Sequence, residues 1–262
     1  MSWSYVKSGT QGQVLVCLHG MGGNANAFAP QLKGVDSLSQ HMQVWSLNLP
    51  GYGSSAPLPV MDWDCLVAGL KQFLDQHQLH KVYLLGHSFG GMLAQAFAAQ
   101  HPRYLAGLIL YSTSAAFGSN DGAFQKRFID SRLTPLDEGQ SMAQLAPSLI
   151  KPLLSKACAP HARKKALECM EQVPSHTYRQ AIKCISVFDY RQNLPHLKLP
   201  TLLLTGAEDT MASAAMMKRL ASKIAWSKLC VLPNAGHLAN VEQPQLFNQQ
   251  VKVFIGLLST TT

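Results

Sequence analysis

A chain of 262 residues, 47% hydrophobic and 14% charged, is long enough for one large domain with a sizeable core and too apolar for a disordered chain. The net charge of +8 raises nucleic acid as a partner, but no basic stripe or nucleic-acid-binding module accompanies it, so none is expected. No apolar run approaches a membrane span and MSWSYVKSGTQGQ lacks the apolar core of a signal peptide, so no membrane partner and a cytoplasmic setting are expected.

Residues 3–6 and 13–18 read as two strands joined by the turn-like Ser8-Gly9-Thr10-Gln11-Gly12. The second strand runs into His19-Gly20-Met21-Gly22-Gly23-Asn24. These glycines fit neither phosphate-binding pattern, G-x-x-x-x-G-K-S/T or G-x-G-x-x-G. The other use of such a loop is to turn a backbone N–H towards a developing oxyanion, with Met21 as the donor. A strand at 43–47 leads to the turn-rich Pro50-Gly51-Tyr52-Gly53-Ser54-Ser55. A helix follows over 61–78, with Leu66, Leu70, Phe73 and Leu74 as its buried stripe and Asp62 and Asp64 near its first turn.

Next comes KVYLLGHSFGG, residues 81–91. Val82 to Leu85 form a continuous apolar run, as in a parallel strand covered on both faces. Phe89, Leu93 and Phe97 then repeat at a helical spacing. Between them lies Gly86-His87-Ser88-Phe89-Gly90, a G-x-S-x-G in the strand–turn–helix context that gives the motif meaning. Gly86 and Gly90 leave room for a sharp turn that lifts the Ser88 hydroxyl above the sheet, and the Phe89 N–H falls at a helix N-terminus, where an anion is stabilised.

A strand at 105–111 follows, and then the pattern changes. From 114 to about 188 no strand-like run appears, and Pro135, Pro147, Pro152, Pro160 and Pro174 separate helix-like stretches at 123–133, 162–173 and 176–188. The sheet pattern resumes with a strand at 201–205 followed by Gly206-Ala207-Glu208-Asp209, a helix at 212–222 and a strand at 228–232 followed by Pro233-Asn234-Ala235-Gly236-His237. A last helix spans 245–258, with Phe247, Val251, Phe254 and Leu258 on one stripe. Alternation of this kind predicts an α/β protein with a mostly parallel central sheet flanked by helices. Right-handed crossovers put the loops that follow strands on one edge, where ligands bind. The expected division is a core of residues 1–113 and 190–262 and a helical cap of residues 114–189 over that edge.

A serine hydroxyl needs a base to take its proton and a carboxylate to orient the base. Ser88, Asp209 and His237 each follow a predicted strand, in the order nucleophile, acid, base. Glu208 is the rival acid. Among ten histidines, His19 and His87 belong to turn motifs, and His161, His176 and His196 fall in the helical stretch or its flank. The six cysteines show no C-x-x-C pair and no zinc-like spacing, so buried, reduced thiols and no metal are expected.

HGMGGN, LNLPGYGSS, GHSFGG, LPTLLLTGAEDT and NAGHLANVEQP together resemble the α/β-hydrolase superfamily. Within it, GHSFGGMLAQAFAAQHP, FDYRQNLPHLKLPTLLLTG and HLANVEQPQLFNQQVKVF resemble the branch of 3-oxoadipate enol-lactonase-like esterases. The resemblance implies the α/β-hydrolase fold, a helical cap that shapes the pocket, and a cofactor-free serine hydrolase of carboxylic esters or lactones. In its terms Ser88 is the nucleophile, Asp209 the acid, His237 the base, and Met21 and Phe89 the oxyanion donors. Asn48 departs from the Asp common before the Pro-Gly turn. Hydrolysis of a carbon–carbon bond in a dienoate-type diketone and a hydrolase-derived ligand receptor are the alternatives. A monomer or homodimer is expected. From 113 to 198, 12 Lys/Arg stand against 7 Asp/Glu, and elsewhere 10 against 7. A solvated basic surface and an anionic substrate are the two readings of that excess.

Overall fold

The computed structural model describes residues 2–119 and 121–259. One seven-stranded sheet runs β1-β3-β2-β4-β5-β6-β7, formed by β1 (Tyr5–Ser8), β2 (Val14–Leu18), β3 (Gln43–Leu47), β4 (Val82–His87), β5 (Leu105–Tyr111), β6 (Thr201–Gly206) and β7 (Ser227–Leu232). All neighbours are parallel except β1, which pairs antiparallel with β3. The two N-terminal strands therefore flank a turn without pairing with each other. The five apolar residues of β2 suit an inner position between β3 and β4, whereas the half-exposed residues of β1 suit the sheet edge.

The continuous apolar runs serve two cores at once. Val16, Leu18, Leu84, Leu108, Leu110 and Leu203 point to one face, against α2 (Trp63–Gln76), α3 (Phe89–Gln100) and α8 (Ala214–Ala221). Leu15, Cys17, Leu85, Ile109, Leu202 and Leu204 point to the other, against α1 (Ala29–Leu32), α9 (Ala239–Glu242) and α10 (Pro244–Ser259). Alternate residues of one strand thus bury on opposite sides, as a pleated backbone requires. Helix α2 begins at Trp63 rather than at 61 because Asp62 is its cap, accepting the Cys65 N–H at 2.7 Å.

Between β5 and β6 lie α4 (Ala123–Asp137), α5 (Met142–Ile150), α6 (Pro160–Glu171) and α7 (Ser175–Ile185), with an isolated bridge between Ala116 and Asp189. Here the prolines mislead as separators. Pro160 opens α6 and Pro174 caps α7, but Pro135 lies in the last turn of α4 and Pro147 inside α5. An interior proline costs about 3 kcal/mol of helix propensity, which hides α5 from a periodicity reading. Its sequence signal is Ser141-Met-Ala-Gln144, a capping box in which Ser141 Oγ accepts the Gln144 N–H and Gln144 Oε1 accepts the Ser141 N–H.

The six cysteines are all free, but only Cys17, Cys169 and Cys184 are buried. Cys65, Cys158 and Cys230 are half-buried, Cys230 because β7 is the outermost strand. Among the described residues no helix is long and apolar enough to cross a membrane.

Candidate active site

The chain passes from β2 to β3 on one side and then returns to place β4 on the other side of β2. Loops leaving the C-terminal ends of β2 and β4 therefore diverge, and the crevice between them is where open α/β sheets bind ligands. The loop after β2 holds Met21, and the one after β4 holds Ser88.

A single residue, Ser88, separates β4 from α3, with φ 52° and ψ −113°. Holding a non-glycine residue there costs about 1–3 kcal/mol. Its backbone is pinned: the Ser88 N–H donates to the Tyr111 carbonyl at 2.9 Å. The Ser88 carbonyl accepts from the Gly91 N–H at 2.9 Å, the Met92 N–H at 3.1 Å and the Thr113 hydroxyl at 2.8 Å. A Cβ on Gly86 would lie 2.3 Å from the Gly90 carbonyl oxygen, and one on Gly90 would lie 2.3 Å from that of Leu18. Gly91 is equally committed, since a Cβ there would sit 2.6 Å from Thr113 Cβ. That third glycine requirement arises from the segment just after β5 and is invisible in the local sequence.

His19 shapes the loop after β2. Its Nδ1–H donates to the Gly20 carbonyl at 2.7 Å, and its Nε2 accepts the Leu49 N–H at 3.1 Å. Only the neutral ring can make both bonds. Burial lowers the pKa to about 4, although the Gly20 hydrogen bond opposes the shift. Unfolded, the same ring titrates near 6.5. The unfolded chain therefore binds more protons through this window, so stability is complete above pH 6.5 and is lost as pH falls towards 4. The expected loss is about 2 kcal/mol by pH 5. His87, also held neutral by burial, adds to it in the same direction. Urea unfolding at steps from pH 7 to 5 checks this, because carboxylates titrate largely below that range; a flat profile would contradict it.

Asn48 ties this loop region to the sheet edge. Its Oδ1 accepts the Ala25 N–H at 2.7 Å and its Nδ2 donates to Ser4 Oγ at 2.9 Å. An Asp would lack that side-chain N–H donor, which gives the departure at this position a structural role. Among the described residues neither the Met21 nor the Phe89 amide donates to a protein acceptor.

Asp209 and His237 follow β6 and β7 and are both buried. His237 Nδ1–H donates to Asp209 Oδ2 at 2.9 Å. Asp209 Oδ1 accepts the N–H groups of Met211 at 2.8 Å and Ala212 at 2.9 Å. Burial alone would raise the Asp209 carboxyl; the charge and hydrogen bond of His237, with the Ala212 amide, outweigh it and hold the carboxyl far below the usual carboxylate range. The His237 backbone is fixed from both sides: its N–H donates to the Leu153 carbonyl at 2.7 Å, and its carbonyl accepts from His87 Nε2–H at 3.0 Å and the Tyr111 hydroxyl at 2.9 Å. Nδ1 being engaged, Nε2 is the ring nitrogen left for chemistry.

The rivals are otherwise occupied. Glu208 accepts the Lys156 N–H at 2.9 Å. His161, His176 and His196 are exposed. Sequence reading passed over Glu242, whose two oxygens accept the Gly236 N–H at 2.9 Å and the Ser155 N–H at 2.8 Å, joining the His237 loop to the helical segment. The spacing H-x-x-x-x-E was its only local signal.

Ser88 and His237 line one cavity of about 110 Å³ with the Gly20–Gly23 loop, α9 residues and side chains from α4, α5, α6 and α7. Among the described residues the Ser88 hydroxyl has no hydrogen-bond partner. No group of three His, Cys, Asp or Glu among the described residues could hold a metal ion. A serine, a carboxylate-oriented imidazole and free amides in the loop after β2 and at the N-terminus of α3 suit acyl transfer.

A family model described as the alpha/beta hydrolase fold matches residues 13–244. The chain is 29% identical over 206 residues to 3-oxoadipate enol-lactonase 2 of Acinetobacter baylyi, covering 77% of this chain and 74% of that protein. It is 26% identical over 252 residues to the biotin biosynthesis bifunctional protein BioHC of Cellvibrio japonicus, covering 94% of this chain but only 48% of that longer protein. Among solved structures, a malate-bound thermophilic esterase from Thermogutta terrifontis superposes with a TM-score of 0.87 at 26% identity, over 98% of this chain and 93% of that one.

Proposed function

Because the chain belongs to the α/β-hydrolase fold family, we propose that it is a serine hydrolase that cleaves a small-molecule carboxylic ester or lactone through an acyl-enzyme on Ser88. In this reading His237 Nε2 takes the Ser88 proton as Oγ bonds to the scissile carbonyl carbon and the carbonyl electron pair moves onto oxygen. The amides of Met21 and Phe89 stabilise that oxyanion, each such donor being worth about 3–4 kcal/mol of barrier. The imidazolium returns its proton to the leaving oxygen as the C–O bond breaks. Water then repeats the sequence and releases the acid. Asp209 keeps the proton on Nδ1 and stabilises the imidazolium.

The observation that carries this reading is the Asp209–His237 hydrogen bond beside a serine held at φ 52° in a shared cavity. The Ser88–His237 bond is expected to close in the substrate complex, where catalytic hydrogen bonds often tighten. Residues 1–113 and 190–262 serve as the core and 114–189 as the cap, whose α4–α7 side chains help line the cavity. An anionic acyl group fits the basic excess of residues 113–198, and the similar esterase from Thermogutta terrifontis holds malate, a dicarboxylate. The setting proposed is the cytoplasm, where six unpaired cysteines would stay reduced, with the chain as a monomer or homodimer.

Turnover of p-nitrophenyl acetate, an enol lactone and a vinylogous diketone tests the reading. Hydrolysis of the first two is expected. Cleavage of the diketone alone would overturn it in favour of carbon–carbon hydrolysis.

A further inference from the structure

We propose that Arg132, backed by Tyr178, forms an anion subsite in the Ser88 cavity, and that the substrate carries a carboxylate joined to its scissile carbonyl by an apolar chain. The inference rests on reading that cavity as an ester-hydrolysing site.

Among the described residues no Asp or Glu lines the cavity, whereas Arg132 from α4 and Lys165 from α6 both do. Much of the remaining wall is apolar, including Phe28, Phe128, Leu149 and Val241. The two cations are not equivalent. Lys165 is answered by Glu168 at 3.8 Å. Arg132 has no carboxylate partner among the described residues. The acids on its own helix are taken: Asp130 pairs with Lys126 at 2.7 Å, and Asp137 pairs with Arg179. Arg191, beyond α7, is likewise paired, with Asp189 at 2.6 Å.

Arg132 is also held in place. Its guanidinium lies 3.9 Å over the Phe128 ring, and Nη1–H donates to Ser131 Oγ at 2.8 Å. Stacking protects one face and leaves edge N–H groups for a planar acceptor. Tyr178, itself buried, adds a hydroxyl from α7 on the same wall. Partial burial lowers the guanidinium pKa and the phenol opposes the shift, so the cation is partly desolvated yet has no anion to answer it. Such a charge is costly to hold unpaired. A carboxylate offered to its fork would remove that cost and gain charge-assisted hydrogen bonds. With the anion there and the carbonyl at Ser88, the rest of the substrate would lie in a cavity whose wall is largely apolar, which calls for methylenes rather than polar groups.

The test compares monomethyl adipate with methyl hexanoate by proton release. It is paired with calorimetric binding of adipate itself to the Ser88→Ala variant, with and without Arg132→Met. The intact chain is expected to prefer the half-ester by about 10–100-fold in kcat/KM, the range that charged hydrogen bonds supply. Arg132→Met should bring that ratio near one, Arg132→Lys should restore part of it, and adipate binding should weaken to match. A ratio unchanged by Arg132→Met, or adipate binding indifferent to it, would overturn the subsite. Binding that depends on Arg132 without turnover of either ester would instead leave the subsite standing and count against the esterase reading.

Discussion

Replacing Ser88 by alanine is expected to lower kcat for ester hydrolysis by about 10⁴–10⁶-fold, the range seen when a triad nucleophile is removed elsewhere. The fold should survive. The substitution deletes one oxygen that has no hydrogen-bond partner among the described residues, and the contacts that pin this residue are made by its backbone. Alanine meets the same conformational cost at φ 52° as serine, so the melting temperature should move by no more than about 2 °C. Steady-state rates and a thermal melt on the same sample check both halves. Full activity in the variant would remove Ser88 from the chemistry; a collapse of the melt would mean that the hydroxyl holds the turn.

Asp209→Asn should cost nearly as much, about 10⁴-fold in kcat, through the proton on another side chain. The carboxylate now accepts on both oxygens, from His237 Nδ1–H and from the amides of Met211 and Ala212. An asparagine must keep its carbonyl towards those two amides, because its NH₂ cannot accept from them. The NH₂ then faces His237 as a donor. The ring can answer only by moving its proton from Nδ1 to Nε2, and Nε2 so occupied cannot take the Ser88 proton. The imidazolium also loses the anion beside it. The loss should appear in kcat while KM changes little, because Asp209 does not line the cavity. NMR of the ring nitrogens would show the changed tautomer. A variant keeping the Nδ1 proton and normal kcat would contradict this account of Asp209.

The parts of this site that were legible in the sequence are those fixed by short-range geometry. A strand that turns into a helix within one residue demands glycine at 86 and 90, so the turn announces itself. Asp209 and His237 are recognisable because parallel topology sends every post-strand loop to one edge, and both residues lie just after strands. The order β1-β3-β2 was harder, since it depends on comparing the two strands for which tolerates an edge, and the short turn between them suggests a hairpin instead. Helix α5 was obscured by Pro147, and the Gly91 requirement by its distance from Thr113 along the chain. Arg132 and Glu242 were missed for a related reason. A charged residue on a helix reads as solvated until tertiary packing shows what surrounds it, and here that is a cavity wall in one case and two loop amides in the other.

The most direct measurement is labelling with a fluorophosphonate followed by peptide mass spectrometry. A serine relieved of its proton by a neighbouring imidazole attacks phosphorus and keeps the adduct, whereas an ordinary surface serine does not. The account predicts one equivalent of label, on Ser88, with activity lost in proportion and labelling slowed in Asp209→Asn. Undiminished ester turnover in unlabelled protein after exposure, or an adduct confined to another residue, would contradict it.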